Sequence, residues 1–329
     1  MRTEIIAELA QGFEGEPLLA RLLVRAAVHA GVDAVKLQLI YADEIASPGY
    51  RHYDLYRRLE MPFEVWQQLR DEAAAVGLRF YLDISGDRSL REARTLSVDG
   101  VKISTSNFFN ASLVDESLRS FTRVFVGVGG ITVEEIEQFV ARHKIVPGGP
   151  VCFLYGLQTE PTPTGATNLL KLAALKQRFP GQTFGYMDHA EGGTEDADTL
   201  ALLALPLGIA CVEKHLSLDR VLQLEDFVSA LDPDEMRAFV ARVRRMEAAL
   251  GSGSLDLSAE EMRYRTTKLK IVVADRDLAA GATVGAGDVQ LKRIASHAGA
   301  VCHLAADVVG KRLRKPVVAG SAITSDLLV

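Results

Sequence analysis

Short apolar runs of strand type alternate along this chain with longer amphipathic stretches. The runs fall at 5–9, 34–40, 79–84, 100–103, 124–127, 151–155, 183–187 and 209–213. Helical spacing of apolar positions marks 18–30, 63–76, 133–141, 169–178, 194–205 and 233–250. Alternating strands and helices are the signature of parallel βαβ units. Eight strands, each with a return, predict a closed (β/α)₈ TIM barrel. An open doubly wound sheet is the alternative, but no G-x-G-x-x-G turn follows the first strand. The eighth helix stops at Gly251-Ser252-Gly253-Ser254, a helix end followed by a flexible link. Residues 253–267 read as a linker with one helical turn. From Lys268 onward, glycine-punctuated β-type runs at 269–273, 289–293 and 315–318 predict a small β-rich domain over 268–329. The barrel domain is accordingly placed at 1–252.

Composition changes this picture little. Of 329 residues, 48% are hydrophobic and 24% charged, as expected of a folded chain. Net charge is −6 with no long basic run, which sets nucleic acid aside as a partner. The charge is uneven, however: residues 268–329 carry nine Lys/Arg and five Asp/Glu, so a +4 module follows a −10 body. Three scattered cysteines, Cys152, Cys211 and Cys302, make neither a disulfide framework nor a zinc ribbon. No signal-peptide pattern opens the chain and no apolar stretch suits a membrane span. The expectation is a soluble, reduced, cytoplasmic protein.

Barrel enzymes place their chemistry at the C-terminal ends of the strands. Those ends deliver Glu8, then Lys36 and Gln38 on one side of the second strand, then Asp83, and then Lys102 with Thr105 beyond it. The fifth strand opens into Gly127-Val128-Gly129-Gly130 and the sixth into Tyr155 and Gln158; the last two end in Asp188-His189 and Glu213-Lys214-His215. His189 and His215 follow neighbouring strands and can reach one metal ion, although either can also simply cap a loop. Lys36 and Lys102 sit in apolar strands, where an unpaired ammonium is costly. Each needs an anion: a protein carboxylate such as Glu8 or Asp83, or a ligand phosphate or carboxylate. A Schiff-base lysine is a further reading. The glycine cluster at 127–130 can offer amides to an anion, and Glu225-Asp226 can hang a carboxylate over the rim.

At these residues the chain resembles the sialic acid synthase family, which includes N-acetylneuraminate, legionaminate and pseudaminate synthases. The resemblance rests on Ile6-Ala7-Glu8, Asp33-Ala34-Val35-Lys36-Leu37-Gln38, Asp188-His189, Glu213-Lys214-His215, Glu225-Asp226 and the segment 229–235. The C-terminal module, with Val289-Gln290-Leu291-Lys292-Arg293, resembles the family's antifreeze-like (SAF) domain. It implies a barrel whose His189 and His215 bind Mn²⁺ or Mg²⁺ and which condenses phosphoenolpyruvate with an open-chain N-acylated amino sugar, releasing phosphate. Glu8, Lys36, Lys102 and Asp188 become candidate catalytic groups. Gln38, Thr105, Asn107, Gln158, Asp226 and Arg293 become substrate-binding candidates. Arg293 would serve the partner's site in a domain-swapped homodimer, which suits the +4 module and −10 body.

The chain departs from the family at its phosphate-binding positions. Gly12-Phe13-Glu14-Gly15, Leu82-Asp83-Ile84-Ser85, Thr105-Ser106-Asn107, Gly127-Val128-Gly129-Gly130 and Met187 stand where the family carries Asn-His-x-Gly, Ser-Thr-Pro-Phe, Ser-Gly-Glu, Ser-Thr-Gly-Met and Ser. Fewer hydroxyls and an added Asp83 predict weak phosphoenolpyruvate binding or a less charged donor. Aldolase-type chemistry on an unphosphorylated keto acid and a sugar-binding pseudoenzyme are the competing readings.

Overall fold

The computed structural model describes residues 2–295 and 299–329. They form two compact units, 1–252 and 253–329. In the first, eight parallel strands close into a barrel: β1 (Glu4–Ala10), β2 (Ala34–Gln38), β3 (Arg79–Ile84), β4 (Gly100–Ile103), β5 (Val124–Gly127), β6 (Val151–Tyr155), β7 (Thr183–Asp188) and β8 (Cys211–His215). The predicted TIM barrel is the observed fold. Helices pack outside it, and the shell between is the main core, built from residues such as Ile5, Val35, Leu82, Val126 and Val212.

Side chains alternate across each strand, so every second residue enters the barrel. The interior is layered by chemistry. Its middle is an apolar plug of Ile6, Ala34, Tyr81, Phe125, Cys152, Leu154, Met187 and Cys211. The next inward position on several strands is ionisable: Glu8, Lys36, Asp83, Lys102 and Glu213. Register sets Glu8 beside Lys36 and His215, and Asp83 beside Lys102, while Lys36 also pairs with Tyr81 and Glu213 with Ile6 of the plug. An irregularity after Glu8 shifts the β1–β2 register, and there Ala10 takes a φ of 41°. The Ala10 N–H donates to the Glu8 carboxylate at 2.9 Å, which fixes that side chain.

Two barrel helices stand outside the expected elements although both are amphipathic: Asp87–Leu96 buries Ser89, Leu90, Ala93 and Leu96 on one face, and Ala111–Ser120 buries Leu113, Val114 and Ser117. Strands β7 and β8 run further than their apolar residues do: Asp188 and Lys214 are strand residues that pair with each other, and His215 ends β8.

The second unit has its own core, including Val272, Leu278, Val284, Val308, Leu313 and Ile323. Strands β9 (Ile271–Ala274) and β10 (Val289–Lys292) pair antiparallel. Residues 315–318, expected as a strand, make only an isolated bridge between Val317 and Leu278. The expected linker carries more helix than one turn: Ala259–Lys268 is a ten-residue helix, capped by Ser258 and Glu261.

Gly185 shows how tightly the plug is filled. A Cβ there would meet the Cys211 sulfur at 2.4 Å and the Leu154 Cδ2 at 2.7 Å. Gly185→Ala is expected to destabilise the barrel by about 1–3 kcal/mol, with part recovered in the Gly185→Ala/Cys211→Ala double variant. Urea denaturation of the full chain measures both.

Candidate active site

Seven ionisable side chains meet above the plug, none more than 6% exposed: Glu8, Lys36, Asp83, Lys102, His189, Glu213 and His215. Five of them form a ring of charge. The Lys36 ammonium contacts Glu8 and lies 3.5 Å from Glu213 and 3.9 Å from Asp83. The Lys102 ammonium lies 2.7 Å from Glu213, 3.8 Å from Asp83 and 4.0 Å from Glu8. Of the two sources of anion open from the sequence, the protein's own carboxylates are therefore in place. Asp83 stands between both lysines instead of leaving them to a ligand.

Proton affinities follow from this geometry. Burial pushes Lys36 down to about 8, against the pull of Glu213. Burial works the same way on Lys102, but Glu213 and Asp83 outweigh it and hold the ammonium above its ordinary range. A lysine so protonated is not poised as a Schiff-base nucleophile. Burial would raise Glu213, yet Lys102 and Lys36 bring it down to about 2. Burial raises Asp83 in spite of both lysines. One Glu213 oxygen, Oε2, is buried and lacks a hydrogen-bond partner among the described residues.

His189 and His215 stand beside the ring with centroids 5.1 Å apart. Burial, with Lys102, pushes His189 down to about 4, and burial with His189 takes His215 well below its usual range. Both imidazoles are neutral near pH 7, so each has a lone pair to give. The His189 Nδ1 is buried and has no hydrogen-bond partner among the described residues. Two adjoining neutral imidazoles, one with an orphaned buried nitrogen, are a fitting donor set for a divalent metal.

Sequence reading missed the third member of this group. A carboxylate oxygen of Glu160 and one ring nitrogen from each histidine lie within 4.8 Å of one another. Glu160 sits in the loop after β6, where no periodicity marks a function. Its only signal is an acidic residue at a strand end beside the Pro161-Thr162-Pro163 run. Partial withdrawal from water and the adjoining Asp226 push its carboxyl up to about 8.

The other candidates are spread around the mouth. Gln38 accepts a hydrogen bond from the Gln11 amide at 2.8 Å, and the Gln11 backbone N–H donates to Asp226 at 3.4 Å. Asp226 itself has a φ of 64°. A cavity of about 210 Å³ opens here, lined by Gln11, Gln38, Asp83, Ser104, Ser106 and Gln158. Thr105 packs on Gly127, and its buried hydroxyl lacks a partner among the described residues. Asn107 is half-buried at the end of the same short turn, Thr105–Asn107. In the glycine cluster, the Val128 N–H is committed to the Leu154 carbonyl at 2.9 Å. A larger groove of about 440 Å³, lined by Thr194, Asp198, Asp234 and Arg242, holds none of these groups.

Two candidates lie apart from the ring. Met187 points inward, so Asp188 points outward, where it pairs with Lys214 at 2.9 Å and accepts from the Ala190 N–H at 3.0 Å. Arg293 belongs to the second unit, where its Nε donates to the Lys268 carbonyl at 2.7 Å.

Known proteins resemble this chain over most of its length. The NeuB family profile matches residues 23–255, and the SAF domain profile matches 270–329. The N,N'-diacetyllegionaminic acid synthase of Legionella pneumophila is 26% identical over 97% of this chain and 92% of its own length. The pseudaminic acid synthase of Campylobacter jejuni is also 26% identical, over 97% of this chain and 94% of its own. The crystal structure of the N-acetylneuraminic acid synthetase of Leptospira borgpetersenii, in complex with citrate, superposes with a TM-score of 0.73 at 25% identity, covering 82% of this chain and 93% of that one. The chain belongs to the NeuB family of sialic acid synthase-like, carbon–carbon bond-forming enzymes, as a divergent member that ends in an SAF domain.

Proposed function

We propose that the barrel condenses phosphoenolpyruvate with the aldehyde of an open-chain N-acylated amino sugar, giving a sialic-acid-like 2-keto acid and phosphate. Donor C3 bonds to the aldehyde carbon, whose oxygen takes a proton. Water adds at donor C2, and phosphate leaves with the bridging oxygen. The observation that carries this reading is the pair of buried lysines set directly beside two neutral histidines at one barrel mouth. A divalent metal, Mn²⁺ or Mg²⁺, held by His189 and His215 supplies Lewis-acid polarisation of the aldehyde.

The chain's own residues do the rest. Lys36 and Lys102 bind the anionic donor by exchanging some of their internal carboxylate contacts for it. Glu8, in contact with Lys36, carries protons to and from the reacting atoms. Thr105, with its unpartnered hydroxyl, joins Asn107 and Gln158 at the rim in contacting donor and sugar. Gln38 and Asp226 orient the sugar hydroxyls. Asp188 keeps its outward pair with Lys214 and so aims His189 without touching substrate. The protein acts as a homodimer in which Arg293 of the partner subunit reaches the mouth.

One observation favours a second reading, a less charged donor such as an unphosphorylated keto acid. Glu8, Asp83 and Glu213 already match two ammoniums with three carboxylates. A trianionic donor must displace or protonate one of them. Phosphoenolpyruvate is therefore expected to bind more weakly than micromolar in calorimetric titration with Mn²⁺ present. Asp83→Asn is expected to tighten it about tenfold, a gain of about 1.4 kcal/mol. Micromolar binding by the unaltered protein would sink this account of Asp83.

The shared mouth is tested by mixing two inactive variants, Arg293→Ala and Lys102→Met, after reversible dissociation. If each site draws on both chains, a mixed dimer contains one intact site, and roughly a quarter of the original activity returns. No recovery, or a monomer by light scattering at micromolar concentration, removes the dimer from the proposal.

A further inference from the structure

The loop after β6 is fastened to the end of β7 more firmly than an exposed connection needs. Gly156 starts it, so close to the Met187 carbonyl that a Cβ would meet that oxygen at 2.2 Å. The Thr162 N–H donates to the His189 carbonyl at 2.8 Å. The Thr162 hydroxyl turns back to the carbonyls of Leu157 at 2.7 Å and Thr159 at 3.0 Å. From the other side, the Ser229 hydroxyl donates to the same His189 carbonyl at 2.9 Å. His189 and Glu160 are thus mounted on one hydrogen-bonded frame, with the Glu160 carboxyl facing the imidazoles and Asp226 behind it.

We propose that Glu160 is a third protein ligand to the divalent metal held by His189 and His215, making a two-histidine, one-carboxylate site with Thr162 as its positioning residue. This rests on the metal-dependent reading above and deepens it. Ligands about 2.1 Å from one ion stand about 3.0–3.4 Å apart at octahedral or tetrahedral angles, so a group whose donor atoms already lie within 4.8 Å closes by a movement of at most about 1.8 Å. The Glu160 side chain supplies that movement, because it is exposed while both histidines are buried. The unpartnered His189 Nδ1 is the second, independent sign of a ligand at this spot. Three protein donors would leave further coordination positions for substrate oxygens. The carboxylate cancels one of the ion's two charges, which retains the metal when substrate is absent. The N₂O donor set suits Mn²⁺, Co²⁺ or Zn²⁺ better than Mg²⁺, which prefers oxygen alone.

The test is Mn²⁺ binding by the full-length protein without substrate, followed by the electron paramagnetic resonance signal of the free ion. One site per chain is expected. Glu160→Gln, which keeps shape and folding, is expected to weaken it at least tenfold. Glu160→Ala should do the same, Thr162→Val should weaken it by a smaller factor, and His189→Ala should abolish it. A loss below tenfold in Glu160→Gln, with His189→Ala still abolishing binding, overturns the Glu160 assignment and leaves the two-histidine metal intact. Failure of the unaltered protein to bind Mn²⁺, Co²⁺ or Zn²⁺ overturns the metal reading itself.

Discussion

Everything at the barrel mouth depends on the mutual neutralisation of two lysines and three carboxylates held out of water. Each such ion, unpaired in that layer, costs several kcal/mol, and the ring is tolerable only because no member lacks an opposite charge. Five strands contribute one member each: β1, β2, β3, β4 and β8. A slip of one residue in any of these strands would turn its charge outward into the apolar shell beneath the helices. The ring therefore specifies strand register at the active end, as the apolar plug does one layer below. It is a device of organisation more than of stability, since well-packed apolar residues would be at least as stable there.

Electrically, the ring comes with its anions built in. Asp83 is a member shared by both ammoniums, lying 3.9 Å from one lysine and 3.8 Å from the other. Its raised proton affinity means that it gives up charge more readily than Glu213 when a further anion arrives. The histidines adjoin this exchange and feel it: Lys102 and Glu213 act on both imidazoles in opposite directions. A change of charge among the lysines and carboxylates is therefore read at the histidines as well.

The barrel was legible because its strands are apolar on both faces over most of their length, and the histidines and lysines stand out against that background. Legibility failed where polarity was inside. Lys214 and His215 look like loop but lie in β8, and Asp188 looks like a site residue but points outward to Lys214. Motif reading placed Lys36, Lys102 and the histidine pair together, and the cost of burying two ammoniums named Glu8 and Asp83 as candidate partners, yet nothing local revealed that Glu213 would join them. Glu160 was invisible for a different reason. Its position depends on Thr162 tying one loop to the next strand's end, a long-range hydrogen bond with no periodicity to betray it.

The apolar plug has a kinetic consequence. Tyr81 and Phe125 meet edge to face at 5.0 Å, and with Met187, Leu154 and the two cysteines they seal the floor under the lysines. Within the barrel, traffic has a single doorway. Whatever rests on Lys36 and Lys102 lies deeper than whatever rests on Gln38 and Asp226, so the two cannot load in either sequence. The inner molecule enters first and the outer one second, and an outer molecule that arrives early blocks the way in.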